Sequence, residues 1–182
     1  MPVRIGVIGC GKIGQLGHLD GYSKCPNAKI VAVSDVNEKA AKEAGEKFKA
    51  AHVYTDYKKL IARKDIDAVS VCVPNYLHAE MTIAACNNKK YVHVEKPMAT
   101  SIQEAEAMVK AAKKNGVFLM LAHSHRFTPA HQVAKKYLSD GIIGKINTVT
   151  GQMGSPGPEY WSPEGKWFFD KKRAFGGAMA DL

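Results

Sequence analysis

The 182-residue sequence holds no apolar run approaching the roughly 18 to 20 residues that a membrane-spanning helix needs. A membrane partner is therefore not expected. The opening Met1-Pro2-Val3-Arg4-Ile5 also lacks the long apolar core of a secretion signal, so a cytoplasmic location is expected. Cysteine is scarce: Cys10, Cys25, Cys72 and Cys86 form no CxxC pair and show no metal-ligand spacing. All four read as free thiols, and no metal site is expected. There is no internal repeat. What is present is an apolar fraction of 46%, ordinary for a globular chain and enough to argue against disorder.

The formal charge of +9 raises the question of nucleic acid. The lysines, however, fall mainly on helix-like faces such as 38–49 and 57–64, and no basic run is interleaved with aromatics. A nucleic-acid partner is not expected. Attraction of a negatively charged cofactor or substrate is the simpler use of that field.

Through about residue 124 the chain alternates short apolar runs with helical patterns, the signature of parallel βαβ units. Strands are expected at Arg4–Ile8, Lys29–Ser34, Val53–Tyr54, Ala68–Val73, Tyr91–Glu95 and Phe118–Ala122. Helices are expected over Ile13–Ser23, Asn37–Phe48 with Asn37 as cap, Asp56 through Leu60, and His78–Cys86. Ser101 and Glu104 make a capping box for a helix over Ile102–Asn115, which Gly116 closes. The fold class is α/β, a doubly wound parallel sheet of Rossmann type over residues 1–124.

Beyond that the pattern changes. A helix is expected over His131–Ser139, a strand over Gly144–Met153, a Pro- and Gly-rich loop over Ser155–Pro163 and helix-like character at Ala178–Leu182. One strand and a loop cannot bury a second core. Residues 125–182 are therefore expected to be the incomplete start of an α+β domain; the other reading is an appendage packed on the first.

Gly9-Cys10-Gly11-Lys12-Ile13-Gly14 is a G-x-G-x-x-G that follows a strand and opens a helix, the context a dinucleotide needs. Gly9 permits the tight turn, Gly11 lets the backbone approach a pyrophosphate, and Gly14 allows close helix–sheet packing. The amides at the helix start then face the phosphates. Asp35 stands 21 residues beyond Gly14 at the end of the second strand. A carboxylate there accepts hydrogen bonds from ribose hydroxyls and repels a 2′-phosphate, so NAD is expected in preference to NADP. The lesser alternative is that Asp35 caps the following helix. Val73, Pro74, Asn75 and His78 lie at the end of a central strand, along the edge where open α/β sheets bind ligands. His78 reads there either as a cofactor contact or as a helix-start residue.

Glu95-Lys96-Pro97 follows the fifth strand. With the glycine turn and the Pro74…His78 segment it resembles the glucose–fructose oxidoreductase, inositol dehydrogenase and rhizopine-catabolism (Gfo/Idh/MocA) family. The resemblance continues through Arg126-Phe127-x-Pro129, Gly141-x-x-Gly144-Lys145-Ile146 and Gly176-Gly177-Ala178-x-x-Asp181. It implies hydride transfer between nicotinamide and a CH–OH group of a sugar, polyol or related compound, in a homo-oligomer. It implies that Lys96 meets both the nicotinamide and the reacting hydroxyl, that Glu95 orients Lys96 or contacts the cofactor, and that Arg126 lies near the pocket. A cis bond before Pro97 is one outcome the motif allows. Family members follow the residue matching Asp181 with a His four positions on, a position beyond Leu182. His123 and His125 stand where relatives carry polar residues facing the nicotinamide, and Trp161, Trp167, Phe168 and Phe169 line either a cleft or a core. Two other functions fit the same residues. One is an NAD-binding module without catalysis, serving as a sensor or partner subunit. The other is glycoside cleavage by transient oxidation, as some relatives perform it.

Overall fold

A computed structural model describes residues 1–152, 154 and 169–174. Six strands, β1 (Val3–Ile8), β2 (Ala28–Ser34), β3 (His52–Tyr54), β4 (Ala68–Val71), β5 (Tyr91–Val94) and β6 (Leu119–Leu121), form one sheet in the order β3-β2-β1-β4-β5-β6. Every pairing is parallel. The chain runs outward from β1 to β3, returns to the centre at β4, and runs outward again to β6. Strand order thus reverses between β1 and β4, and in such sheets ligands bind in the crevice at the carboxyl edge of that switch point.

Local chemistry explains the helices between the strands. The first is helical over residues 14–24, with wide π turns over Gly14–Leu19 followed by α turns over Asp20–Lys24 (together α1). The Asn37 side chain accepts from the Ala40 N–H and starts α2 (Glu38–Lys47), and the Asp56 carboxylate accepts from the Lys58 N–H at α3 (Tyr57–Ile61). After α4 (His78–Asn87) comes α5 (Ile102–Asn115), where Ser101 accepts from the Glu104 N–H and Glu104 reaches back to the Thr100 N–H. Gly116 closes α5 in the left-handed conformation, φ 65°. These elements match the sequence expectations to within a residue or two.

The two sides of the sheet differ. Side chains alternate along a strand. On β4 and β5, Val69, Val71, Val92 and Val94 enter an apolar core with Leu60, Ile66, Met81 and Met108 beneath α3, α4 and α5. On the other side Ile5, Val7, Val33 and Cys72 pack with Leu19 of α1 and Ala44 of α2. Gly6, inside β1, has a simple packing reason: Leu60 occupies the space above it.

The tail departs from expectation. A helix α6 (Pro129–Ser139) begins two residues earlier than its pattern, with Pro129 in its first turn, and all its residues are exposed. The expected strand over Gly144–Met153 does not form: residues 144–152 are exposed and pair with no described strand. Alternating Ile146, Thr148 and Thr150 supply the right period, but a strand also needs a neighbour to hydrogen-bond. A short helix α7 (Lys171–Ala174) follows. The expected loop at Ser155–Pro163, the Ala178–Leu182 stretch, and the aromatic residues Trp161, Trp167 and Phe168 lie outside the described residues; Phe169 is exposed.

Substituting Gly6→Ala would put its Cβ 2.6 Å from Leu60 Cδ2 and 3.1 Å from Ile66 Cδ1. Overpacking of this kind should lower unfolding free energy by about 1–3 kcal/mol, read from urea titrations.

Candidate functional site

The glycine corner between β1 and α1 divides its three glycines among three tasks. Gly9 has φ +96°, and a Cβ there would collide with the Cys72 carbonyl at the end of β4. A Cβ at Gly14 would collide with the Gly9 carbonyl and sit 3.5 Å from Cys72 Cβ. Gly11 is different: nothing lies within 4 Å of an added Cβ. Two positions are closed by the protein and the third faces open space. That open approach over exposed backbone suits a diphosphate, so the corner fits the dinucleotide the motif calls for. Lys12 and Ile13 are exposed on the same turn.

Asp35 sits just past β2 and grips this corner. Its Oδ2 accepts from the Cys10 N–H at 2.7 Å and its Oδ1 from the Asn37 N–H at 2.8 Å. The carboxylate therefore fixes the backbone of the glycine turn and also starts the next loop. Residue spacing suggests a ribose partner or a local cap at this position; the bond to the Cys10 amide is a third role that spacing does not reveal.

The β4–α4 loop forms the neighbouring wall. Val73 and Pro74 are half-buried, and Asn75 is buried with its Nδ2 donating to the Ala174 carbonyl at 2.9 Å, which brings α7 onto this loop. Arg173 lies over the Tyr76 ring, 5.9 Å from its centroid. His78, expected as a cofactor contact or a helix-start residue, stands at the first residue of α4. It is 1% exposed, and its two ring nitrogens lie 2.7 Å from the Pro97 carbonyl and 2.8 Å from the Val73 carbonyl. The ring sits between the β4–α4 loop and the Glu-Lys-Pro segment, within hydrogen-bond distance of both. Burial pushes its pKa down, against the pull of the two carbonyls, which can only accept.

At the end of β5 the Lys96–Pro97 bond is cis. Glu95 is nearly buried and faces inward: Oε1 meets His18 Nε2 at 2.8 Å and Oε2 accepts from the Lys96 N–H at 3.1 Å. Its two oxygens thus meet His18 and the Lys96 backbone. Burial alone would raise the Glu95 carboxyl; the His18 hydrogen bond and charge, with the Lys96 amide and ammonium, outweigh it and hold the pKa low. Lys96 itself is half-buried on the same carboxyl edge, two strand spacings from β1. Arg126, on a 3₁₀ turn after β6, is exposed one strand further out, about 14 Å across the sheet from β1 at ~4.8 Å per strand. His123 and His125 are exposed beside it, and the His125 ring packs edge-on against His131, 5.8 Å between centroids. Asp181 lies outside the described residues.

Sequence reasoning missed a row of polar side chains under α1. His18 Nδ1 is 3.1 Å from Ser70 Oγ, Tyr22 Oη is 2.6 Å from the same oxygen, and Tyr22 Oη is 3.0 Å from His93 Nδ1. Two signals could have found it. His18 and Tyr22 are four apart on one helix, and Ser70 and His93 are the polar members of alternating Val-Ser-Val and Val-His-Val. Burial, with the nearby His18, pushes the His93 pKa down to about 4. Burial also raises the thiols of Cys10, to about 12, and Cys72, so neither is a reactive nucleophile.

Residues 3–123 match the Gfo/Idh/MocA family model, an oxidoreductase family with an NAD-binding Rossmann fold. The chain belongs to this family. Among similar proteins, 4-carboxy-2-hydroxymuconate-6-semialdehyde dehydrogenase from a Sphingobium species is 39% identical over 141 residues, 78% of this chain and 43% of that protein. Myo-inositol 2-dehydrogenase from Thermotoga maritima is 33% identical, with 92% of this chain and 51% of that protein covered. A crystal structure of a 3-ketoreductase from Actinomadura kijaniata, in complex with TDP-benzene and NADP, superimposes with a TM-score of 0.74 at 32% identity. It covers 80% of this chain and 46% of that one. The chain spans about half the length of the family members it matches. Among the described residues no helix is long and apolar enough to cross a membrane, and no cluster of His, Cys, Asp and Glu could hold a metal ion.

Two measurements test this geometry. Asn at position 35 can present one acceptor oxygen to the two N–H groups, so Asp35→Asn should cost about 1–2 kcal/mol without any coenzyme, read from urea unfolding. For His93, the unfolded chain takes up a proton near the ordinary value of 6.5 and the folded one only near 4. Stability from its neutral ring is present above pH 6.5 and lost as the pH falls towards 4. The stability advantage of the native protein over His93→Gln should shrink across that window.

Proposed function

We propose that the intact protein is an oxidoreductase that moves hydride between a CH–OH carbon of a sugar, polyol or related small molecule and a nicotinamide, with NAD preferred. The observation that carries the reading is the shared edge: the glycine corner at β1 and Lys96 at β5 stand on one carboxyl side of one sheet. Gly11, Lys12 and Ile13 offer exposed backbone to a diphosphate, and Val73 and Pro74 wall the crevice beside it. When bound, the nicotinamide supplies the acceptor or donor of the hydride.

The chain's own contribution is electrostatic and positional. An ammonium at Lys96 donates to the reacting oxygen and stabilises negative charge as the C–H bond breaks, while the hydroxyl proton leaves to a general base, by family resemblance the His four positions after Asp181. Asp181 joins it at the hydroxyl by family resemblance. Preference for NAD rests on Asp35: its carboxylate is held in place by two backbone amides, and a fixed negative charge there repels a 2′-phosphate. Relatives support either coenzyme. One from Bacillus subtilis is named scyllo-inositol 2-dehydrogenase (NAD(+)), whereas the Actinomadura structure holds NADP. We read residues from 125 onward as the start of a second unit, because α6 leaves Val133, Tyr137 and Leu138 exposed and Ile142, Ile143 and Ile146 follow equally bare.

In calorimetric titrations NADH should bind at least about tenfold more tightly than NADPH, a difference of ~1.4 kcal/mol. Binding of neither, by folded protein, overturns the reading. In the intact protein Lys96→Ala should lower kcat by about 10²- to 10³-fold while coenzyme affinity holds, measured by appearance of reduced nicotinamide across a polyol and sugar series.

A further inference from the structure

Under α1 a row of buried polar groups leads towards the reacting end of the site, and coenzyme binding does not account for it. His18 is 6% exposed, Ser70 0% and Glu95 9%. An apolar filling of the same space would be at least as stable, since buried ionic contacts return little over well-packed hydrocarbon. The protonation at the Glu95 end of the row follows from its partner. A carboxylate only accepts, so His18 Nε2 carries a proton and donates to Glu95 Oε1 at 2.8 Å. His18 Nδ1 lies 3.1 Å from Ser70 Oγ, and the same oxygen lies 2.6 Å from Tyr22 Oη. Tyr22 Oη lies 3.0 Å from His93 Nδ1.

We propose that His18 is a positioning residue for Lys96: by holding Glu95 Oε1 it turns Oε2 onto the Lys96 N–H and fixes how the Lys96 backbone leaves β5. The inference rests on the reading of Lys96 as the group that meets the substrate oxygen. His18 comes from the helix that the glycine corner opens, so one side chain ties the coenzyme end of the crevice to the reacting end. His78 holds the following residue, Pro97, from the opposite side. Lys96 is thereby bracketed by two buried histidines, one acting through Glu95 and one through the Pro97 carbonyl.

Two variants of the intact protein separate this role from packing. The amide nitrogen of His18→Gln reaches the position of imidazole Nε2 and keeps the donor to Glu95. The shorter His18→Asn reaches only the position of Nδ1 and keeps the Ser70 contact. His18→Asn should lower kcat by about 10- to 100-fold with coenzyme Kd within about threefold, and His18→Gln should restore most of the loss. Equal turnover of the two variants overturns the proposal, as does a loss that lies wholly in coenzyme affinity. Lys96→Ala runs alongside: if it keeps full turnover, the reading of Lys96 has failed. If it abolishes turnover while His18→Asn does not, the positioning role alone has failed. Nitrogen-15 NMR of the native protein gives an answer even where a variant does not fold. A proton on His18 Nε2 is expected, and an Nε2 without a proton overturns the proposal.

Discussion

Between Gly9 and the Cys72 carbonyl there is no space for a Cβ atom, so the first strand-to-helix corner lies directly on the end of β4. That contact sets the position of α1. It brings the helix start to the crevice where strand order reverses, and it lays His18 and Tyr22 across β4 and β5. A wider corner would lift α1 off the sheet and break the polar row beneath it. The same absence of side chains that exposes backbone at Gly11 thus determines what α1 can reach seven to eleven residues later.

The two sides of the sheet then take on separate work. Beneath α3, α4 and α5, valines of β4 and β5 meet Leu60, Met81 and Met108 in hydrocarbon packing that supplies stability. Beneath α1 the alternate positions of the same strands carry Ser70, His93 and Glu95. Burying them is tolerable because each finds a partner, and unpartnered groups would cost about 1–3 kcal/mol apiece. Strand alternation therefore allows one β4–β5 pair to serve both as core and as support for the Glu-Lys-Pro segment.

Much of this was readable from the residues. Glycines at 9, 11 and 14, caps at Asn37, Asp56 and Ser101, and apolar runs bounded by turn residues act locally, so their consequences follow from sequence spacing. Long-range pairings were not readable in the same way. That the Asp35 carboxylate holds the Cys10 amide depends on how β2 sits beside β1, and the His18–Glu95 contact spans 77 positions. His78 illustrates the limit well. Its place before a helix at the sheet edge suits a ligand contact or a helix start, and nothing in the spacing shows the approach of the Pro97 carbonyl, 19 positions on. The unformed strand at 144–152 has the same cause in reverse: period is local, but a hydrogen-bonding neighbour is not.

The side chains nearest the proposed chemistry share one habit, which is that they bind backbone. Asp35 holds the Cys10 and Asn37 amides, His78 the Val73 and Pro97 carbonyls, Glu95 the Lys96 amide and Asn75 the Ala174 carbonyl. Backbone anchored in this way has little freedom left to lose when a ligand arrives, so binding energy is not spent on ordering loops. A substitution at any of these four anchors should be felt at the crevice through backbone displacement, where a shift of ~1 Å is enough to cost two orders of magnitude in rate.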